Sequence, residues 1–208
     1  MPFLDFSGAP LIGDGFSHDY FLRKAADRSY TGEIGATTFA SIAPVGDVLY
    51  AYPFFNGNAS QVVNFNVYVF AGAAGTIRCG IYDNDQLTNP YPVNLLADSG
   101  DMVAGVGHAT SVVGLPVTLD ANSLYWLACV NSLGTLRQFS SLTTLRRNMA
   151  AIFSYPLAAS WNAPRECPAF LLSIAQAYGA LPATFPAGAT ITETGTVAVP
   201  YVGITLSP

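Results

Sequence analysis

Short runs of alternating apolar and polar residues recur along this chain, each closed by glycine, proline, asparagine or aspartate. In VVNFNVYVF (Val62 to Phe70), Val63, Phe65, Val67 and Val69 fall on one side of an extended backbone, and Asn64 and Asn66 on the other. TIRCGIY repeats the pattern, with Ile77, Cys79 and Ile81 opposite Arg78, Gly80 and Tyr82, and GLPVTLD groups Leu115, Val117 and Leu119. A period of two is the signature of a strand with one face in a core. LYWLACV (Leu124 to Val130) is apolar at every position, as a central strand covered on both faces would be. FLLSIAQA (Phe170 to Ala177) and VAVPYVGITL (Val197 to Leu206) complete the set, and Pro200 in the last predicts an edge or a bulge.

The connections carry turn chemistry: Asn56-Gly57-Asn58, the glycine-rich stretch from Ala71 to Gly75, Asp120-Ala121-Asn122-Ser123, and Pro182 to Gly188. Many short strands at this spacing predict an all-β, jelly-roll-like antiparallel β-sandwich, here over residues 41–208. IRCGIYDNDQLTNPYPVNLLADSG (Ile77 to Gly100) starts as such a strand, continues as a long polar loop with two prolines, and returns through Leu95 and Leu96. Residues 1–40 read differently, as a short N-terminal arm. They hold two acid-aromatic turns and a helical candidate from His18 to Ala26 with Ser17 as its N-cap, but no strong strand. Phe3, Phe6, Leu11 and Phe16 are too apolar for a solvated tail and too broken by Gly and Pro for a core strand. Such an arm either docks on another surface or wraps its own sandwich.

Of the 208 residues 51% are hydrophobic and only 10% charged, so much of the surface is neutral or covered by partners. No apolar run is long enough to span a bilayer, which predicts no membrane insertion. MPFLDFSGAP lacks the basic and apolar regions of a secretory signal, so synthesis in a cytoplasm is expected. The net charge is −5 and the eight basic residues are scattered. Phosphate binding needs a clustered basic face, so no nucleic-acid partner is expected.

Asp83, Asp85, Asp98 and Asp101 form the obvious acidic group. Counted as a calcium loop from Asp83, the fifth, sixth and twelfth positions are Leu87, Thr88 and Asn94, which fails the pattern. Asp-Asn-Asp runs also bond their own backbone in turns, so no metal and no cofactor are expected. Cys79, Cys129 and Cys167 form no CxxC pair and read as buried thiols. With His18 and His108 the only histidines and no GxSxG elbow, no catalytic residues emerge. Trp126 reads as core, whereas Trp161, in a proline-rich loop, is the better candidate for an exposed aromatic.

Two stretches, GIYDNDQLTNPYPVNLLADSG and VTLDANSLYWLACV, with AYGALPATFPAG (Ala177 to Gly188) further on, resemble a β-sandwich domain of tailed-bacteriophage virion proteins. The similarity covers roughly Gly46 to Leu206 and implies a fibre, spike or decoration protein without catalytic residues. The stalk that often precedes such a domain is missing from this sequence. The resemblance implies a non-enzymatic structural protein at the virion surface, used in host attachment and assembled as a homotrimer. Its expected partners are other virion proteins (capsid, portal or tail platform) and host surface polysaccharide. Under this reading Asn84, Asp85, Tyr91 and Trp161 contact the host glycan, and Phe3, Phe6, Leu11 and Phe16 attach to the virion. A capsid decoration protein is the alternative, and a glycan depolymerase a more distant one.

Overall fold

Two antiparallel sheets face each other across one apolar layer, and the chain crosses repeatedly between them. The computed structural model describes residues 29–30, 38–42, 44–56, 59–71, 75–85, 89–132, 137–142, 171–192 and 202–207. Among these are thirteen strands and no helix. The first seven are β1 (Ser29–Tyr30), β2 (Thr38–Ile42), β3 (Val48–Asn56), β4 (Ser60–Ala71), β5 (Gly75–Asp85), β6 (Asn89–Asp98) and β7 (Met102–Ala104). The remainder are β8 (Gly107–Leu119), β9 (Ser123–Asn131), β10 (Arg137–Leu142), β11 (Leu171–Ala175), β12 (Thr190–Thr192) and β13 (Val202–Ser207). One sheet runs β1-β13-β4-β10-β2, with β8 on the other flank of β4; the second runs β12-β11-β3-β9-β5-β6, with β7 beside β5.

The layer between the sheets is built by the period-two patterns. Phe65, Val67, Val69, Val202, Ile204 and Leu206 enter it from the first sheet, and Tyr52, Ile77, Cys79, Ile81, Leu127 and Cys129 from the second. Each is nearly or wholly removed from water, which for an aliphatic or aromatic side chain contributes about 1.5–3 kcal/mol. The fold is therefore an antiparallel β-sandwich, as its alternation predicts.

Two local expectations are corrected. In β4 the buried residue is Val62, and Val63 is only half-buried. Pairing with β8 shifts register between Val62 and Asn64, and a bulge there reverses the inside–outside parity. The long polar loop after Ile77 is instead a hairpin, because β5 continues to Asp85 and β6 resumes at Asn89. Both of its prolines, Pro90 and Pro92, lie in β6, where successive register shifts accommodate residues that cannot donate to a ladder. Of the edge or bulge expected in β13, the edge is absent, since β1 and β4 flank it, but its pairing with β4 shifts register between Thr205 and Leu206; Pro200 itself lies outside the described residues.

Part of the N-terminal segment wraps the sandwich, one of the two arrangements expected of it. β1 pairs with β13 (Ser29↔Thr205) and β2 pairs with β10 (Phe39↔Ser141), so this part of the segment belongs to the sandwich. The boundary expected at residue 40 falls inside β2. Phe3, Phe6, Leu11, Phe16, the helical candidate from His18 to Ala26, Trp161 and Cys167 lie outside the described residues.

A second apolar layer covers the outer face of the second sheet. Leu49, Ala51, Tyr82, Trp126, Ala128, Val130 and Leu172 are buried there under Leu181 and Phe185, which belong to the segment 176–189 joining β11 to β12. Every residue from Leu124 to Val130 is consequently buried, which explains a strand apolar on both faces.

Candidate functional site

Segment 176–189 is a strap laid over the outer face, and each of its fastenings is a specific hydrogen bond. It begins at the turn before β3, where Asp47 adopts a left-handed conformation with φ of 57°. Gln176 N donates to Asp47 O at 2.9 Å, and Tyr178 N donates to Asp47 Oδ1 at 2.8 Å. Tyr178 then donates its hydroxyl to Asp101 Oδ1 at 2.9 Å. Further on, Leu181 N donates to Asp98 Oδ2 at 3.1 Å, and Tyr82 donates its hydroxyl to Pro182 O at 2.9 Å.

The strap finally runs beside β6. Leu95 N donates to Ala183 O and Phe185 N to Val93 O, at 2.9 and 2.8 Å, around an antiparallel bridge between Asn94 and Thr184. Leu181 packs into the space that Gly80 leaves without a side chain. Phe185 meets the Tyr82 ring edge-on, with centroids 5.2 Å apart and planes at 89°.

Arg78 organises the acidic group. Its Nε lies 2.7 Å from Asp98 Oδ1, and its Nη1 lies 3.0 Å from Asp101 Oδ1. The hydrogen bond to Asp98 raises the Arg78 pKa, so the guanidinium stays charged. Asp98 also accepts from Gly100 N at 2.8 Å, which is turn chemistry of the kind expected for Asp98-Ser99-Gly100. Asp83 accepts from Asn94 N and Nδ2, bracing the hairpin from within. Three of the four acids are thus committed to backbone or side-chain donors of this chain. Among the described residues no group of His, Cys, Asp and Glu is arranged to hold a metal ion.

Where the strap turns back toward β12, an open groove of about 430 Å³ lies between it and the start of β6. Tyr91, Pro92 and Val93 form one wall; Thr184, Phe185 and Pro186, with the turn 187–189, form another, over Leu172. The Tyr91 ring stacks on the fully buried Trp126, at 6.4 Å between centroids and 26° between planes. Tyr91 is nevertheless 38% exposed, so it presents a fixed aromatic surface backed by the core.

Of the residues proposed from sequence as glycan contacts, Tyr91 stands at this groove and Asp85 is exposed nearby on β5. Asn84 is buried at 9% exposure and offers little surface. The strand segment that carries Tyr91 and the segment 182–188, read from sequence as turn chemistry, are brought side by side. What sequence reasoning missed is the backing: Trp126 beneath Tyr91, and Phe185 and Leu172 as walls. The both-face apolarity of Leu124 to Val130 signalled a cover on this sheet, but nothing local identified the strap as that cover.

Cys79 and Cys129 are free, buried and paired in register across β5 and β9. Burial pushes the Cys129 thiol up to about 12 and the Cys79 thiol well above its ordinary range. Neither has the thiolate character that a nucleophile or metal ligand needs. Burial likewise pushes the Tyr82 hydroxyl far up, with the nearby Asp98 charge adding to it. Compared with known proteins, the chain matches no family model and no curated sequence.

Proposed function

We propose that this chain is a structural protein of a phage or phage-like particle, a fibre or spike head at the virion surface that contributes to host attachment. The observation that carries the reading is the exposed Tyr91 in an offset stack with a buried tryptophan beside an open groove. Binding surfaces of this kind are held by a rigid scaffold and gain strength when displayed in many copies. Two sheets with repeated crossings of the chain between them suit the jelly-roll arrangement expected from the strand pattern. In this reading the protein is not an enzyme and assembles as a homotrimer, so that one appendage offers three grooves.

A capsid decoration role is the second reading, and one feature favours it. Val103 in β7 and Val106 in the turn to β8 are 79% and 70% exposed, an apolar patch suited to a shell lattice. Cryo-electron microscopy of purified particles separates the two. Density for this fold projecting from a vertex or tail supports the appendage, and density covering the shell supports decoration. Its absence from purified particles sinks both. Release of reducing ends from host polysaccharide by the purified protein would instead make it a depolymerase.

A further inference from the structure

We propose that the groove beside Tyr91 takes an uncharged sugar ring stacked on the tyrosine face. The inference rests on the attachment reading above and names the ligand class of the same site.

Among the described residues no charged side chain lines the groove, so none of them would offset the desolvation of an anionic or cationic ligand. The nearby carboxylate of Asp83 is already engaged by both donors of Asn94. An extended peptide is disfavoured for a different reason. Strand addition draws its affinity from main-chain hydrogen bonds, and the edge of β6 next to the groove has already given Val93 O and Leu95 N to the strap.

What remains is a compact neutral group with an apolar face and a polar rim. A pyranose has both: axial C–H bonds for the aromatic ring, and hydroxyls for the Thr184 hydroxyl and the peptide groups of the turn 187–189. Gly188, with φ of 82°, carries the turn through the left-handed region without a side chain to obstruct it. The volume of about 430 Å³ falls within the about 300–1,000 Å³ typical of small-ligand clefts. The Tyr91 ring is held by Trp126 before any ligand arrives, so little ordering cost falls on binding.

The test is saturation-transfer difference NMR on the full chain. The probes are the methyl glycosides of glucose, galactose, mannose and N-acetylglucosamine, with glucuronic acid and a proline-rich peptide alongside. At least one neutral glycoside should show transfer to its ring C–H protons. That transfer should be lost in Tyr91→Ala, kept in Tyr91→Phe, and weakened severalfold in Thr184→Val, with circular dichroism unchanged in all three. Transfer to none of the neutral glycosides, transfer that survives Tyr91→Ala, or binding only of glucuronic acid or the peptide would each overturn the inference. Particles that contain the chain, with no sugar binding, would defeat this inference alone. Sugar binding by a protein that purified particles lack would defeat the virion reading alone.

Discussion

The Tyr52 hydroxyl on β3 donates to Val202 O at 2.7 Å and accepts from Val202 N at 2.9 Å, tying the second sheet to the first strand-to-strand across the core. Both residues are buried, so this one phenol satisfies two backbone groups that water does not reach. Tyr52→Phe keeps the ring and strands both groups. The variant should lose about 1–3 kcal/mol in urea unfolding, with an unchanged denaturant slope. A loss within error would mean that Val202 finds other partners.

Gly80 bears the strap in a different way. A Cβ at this position would lie 2.4 Å from Leu181 Cδ1 and 2.9 Å from the carbonyl oxygen of Ala97. The leucine end can move, but the carbonyl belongs to β6 and cannot do so freely. Gly80→Ala should therefore destabilise the protein by about 1–3 kcal/mol, as overpacking does. It should also speed amide exchange at Leu181 and Phe185 before it affects β4 or β13. Equal acceleration everywhere would show that strap and sheet open together.

The sandwich was legible because half of each strand's information is local: alternation names the inner face of β5 and the double burial of β9 without any knowledge of partners. The site was only half legible. Tyr91 was named as a contact and 182–188 as a turn-rich connection, yet their juxtaposition depends on bonds such as Tyr82 Oη to Pro182 O, a hundred positions apart in sequence. Asn84 misled because an amide beside two aspartates reads as a turn, whereas the hairpin continues through it and buries it. Val63 misled for a geometric reason, since a bulge changes parity without changing composition.

The two buried thiols make the fold sensitive to alkali. Cys129 is held near 12 in the folded state against an ordinary value of 9.0, and Cys79 is shifted in the same direction. The folded state therefore binds protons that the unfolded chain releases above about pH 9. Their contribution is complete below that pH and declines as pH rises; for Cys129 the decline runs toward pH 12 at on the order of 1 kcal/mol per pH unit. Urea midpoints should fall between pH 9 and 11, and Cys129→Ser should flatten that fall even though it lowers stability at pH 7. At pH 8 a thiol reagent should leave both cysteines unmodified until urea is added. Modification in native buffer at the rate of a free thiol would contradict their burial.

If the N-terminal residues attach the protein to a particle, removing Met1 to Phe16 should abolish incorporation and leave a folded sandwich. The cut spares β1 and β2, whose pairings with β13 and β10 belong to the first sheet. Circular dichroism and urea unfolding of the truncated protein should match those of the full chain, while particles from a truncated-gene phage should lack it on immunoblotting. Normal incorporation would assign attachment to another surface, with the exposed Val103 and Val106 the next to test.

Asp98 links the acidic group to the groove, and its substitution should show that stability and binding share one element. The carboxylate accepts from Arg78, from Gly100 N and from Leu181 N, so it fixes the β6 end, the following turn and the middle of the strap together. Asp98→Asn keeps the shape but removes the charge, and its amide cannot accept at both oxygens. Arg78 would retain Asp101, which is 58% exposed and therefore a weaker, solvent-screened partner. The expected cost is about 1.5–3 kcal/mol, the range for hydrogen bonds to a charged group. Because Leu181 is four residues from Phe185, a wall of the groove, the same change should weaken binding of any groove ligand while Tyr91 and Trp126 stay in place. Amide exchange should locate the loosening in residues 178–186 and leave β4 and β13 protected. Loss of stability with unaltered ligand binding would show that the groove wall is held by the Val93 and Leu95 backbone bonds alone.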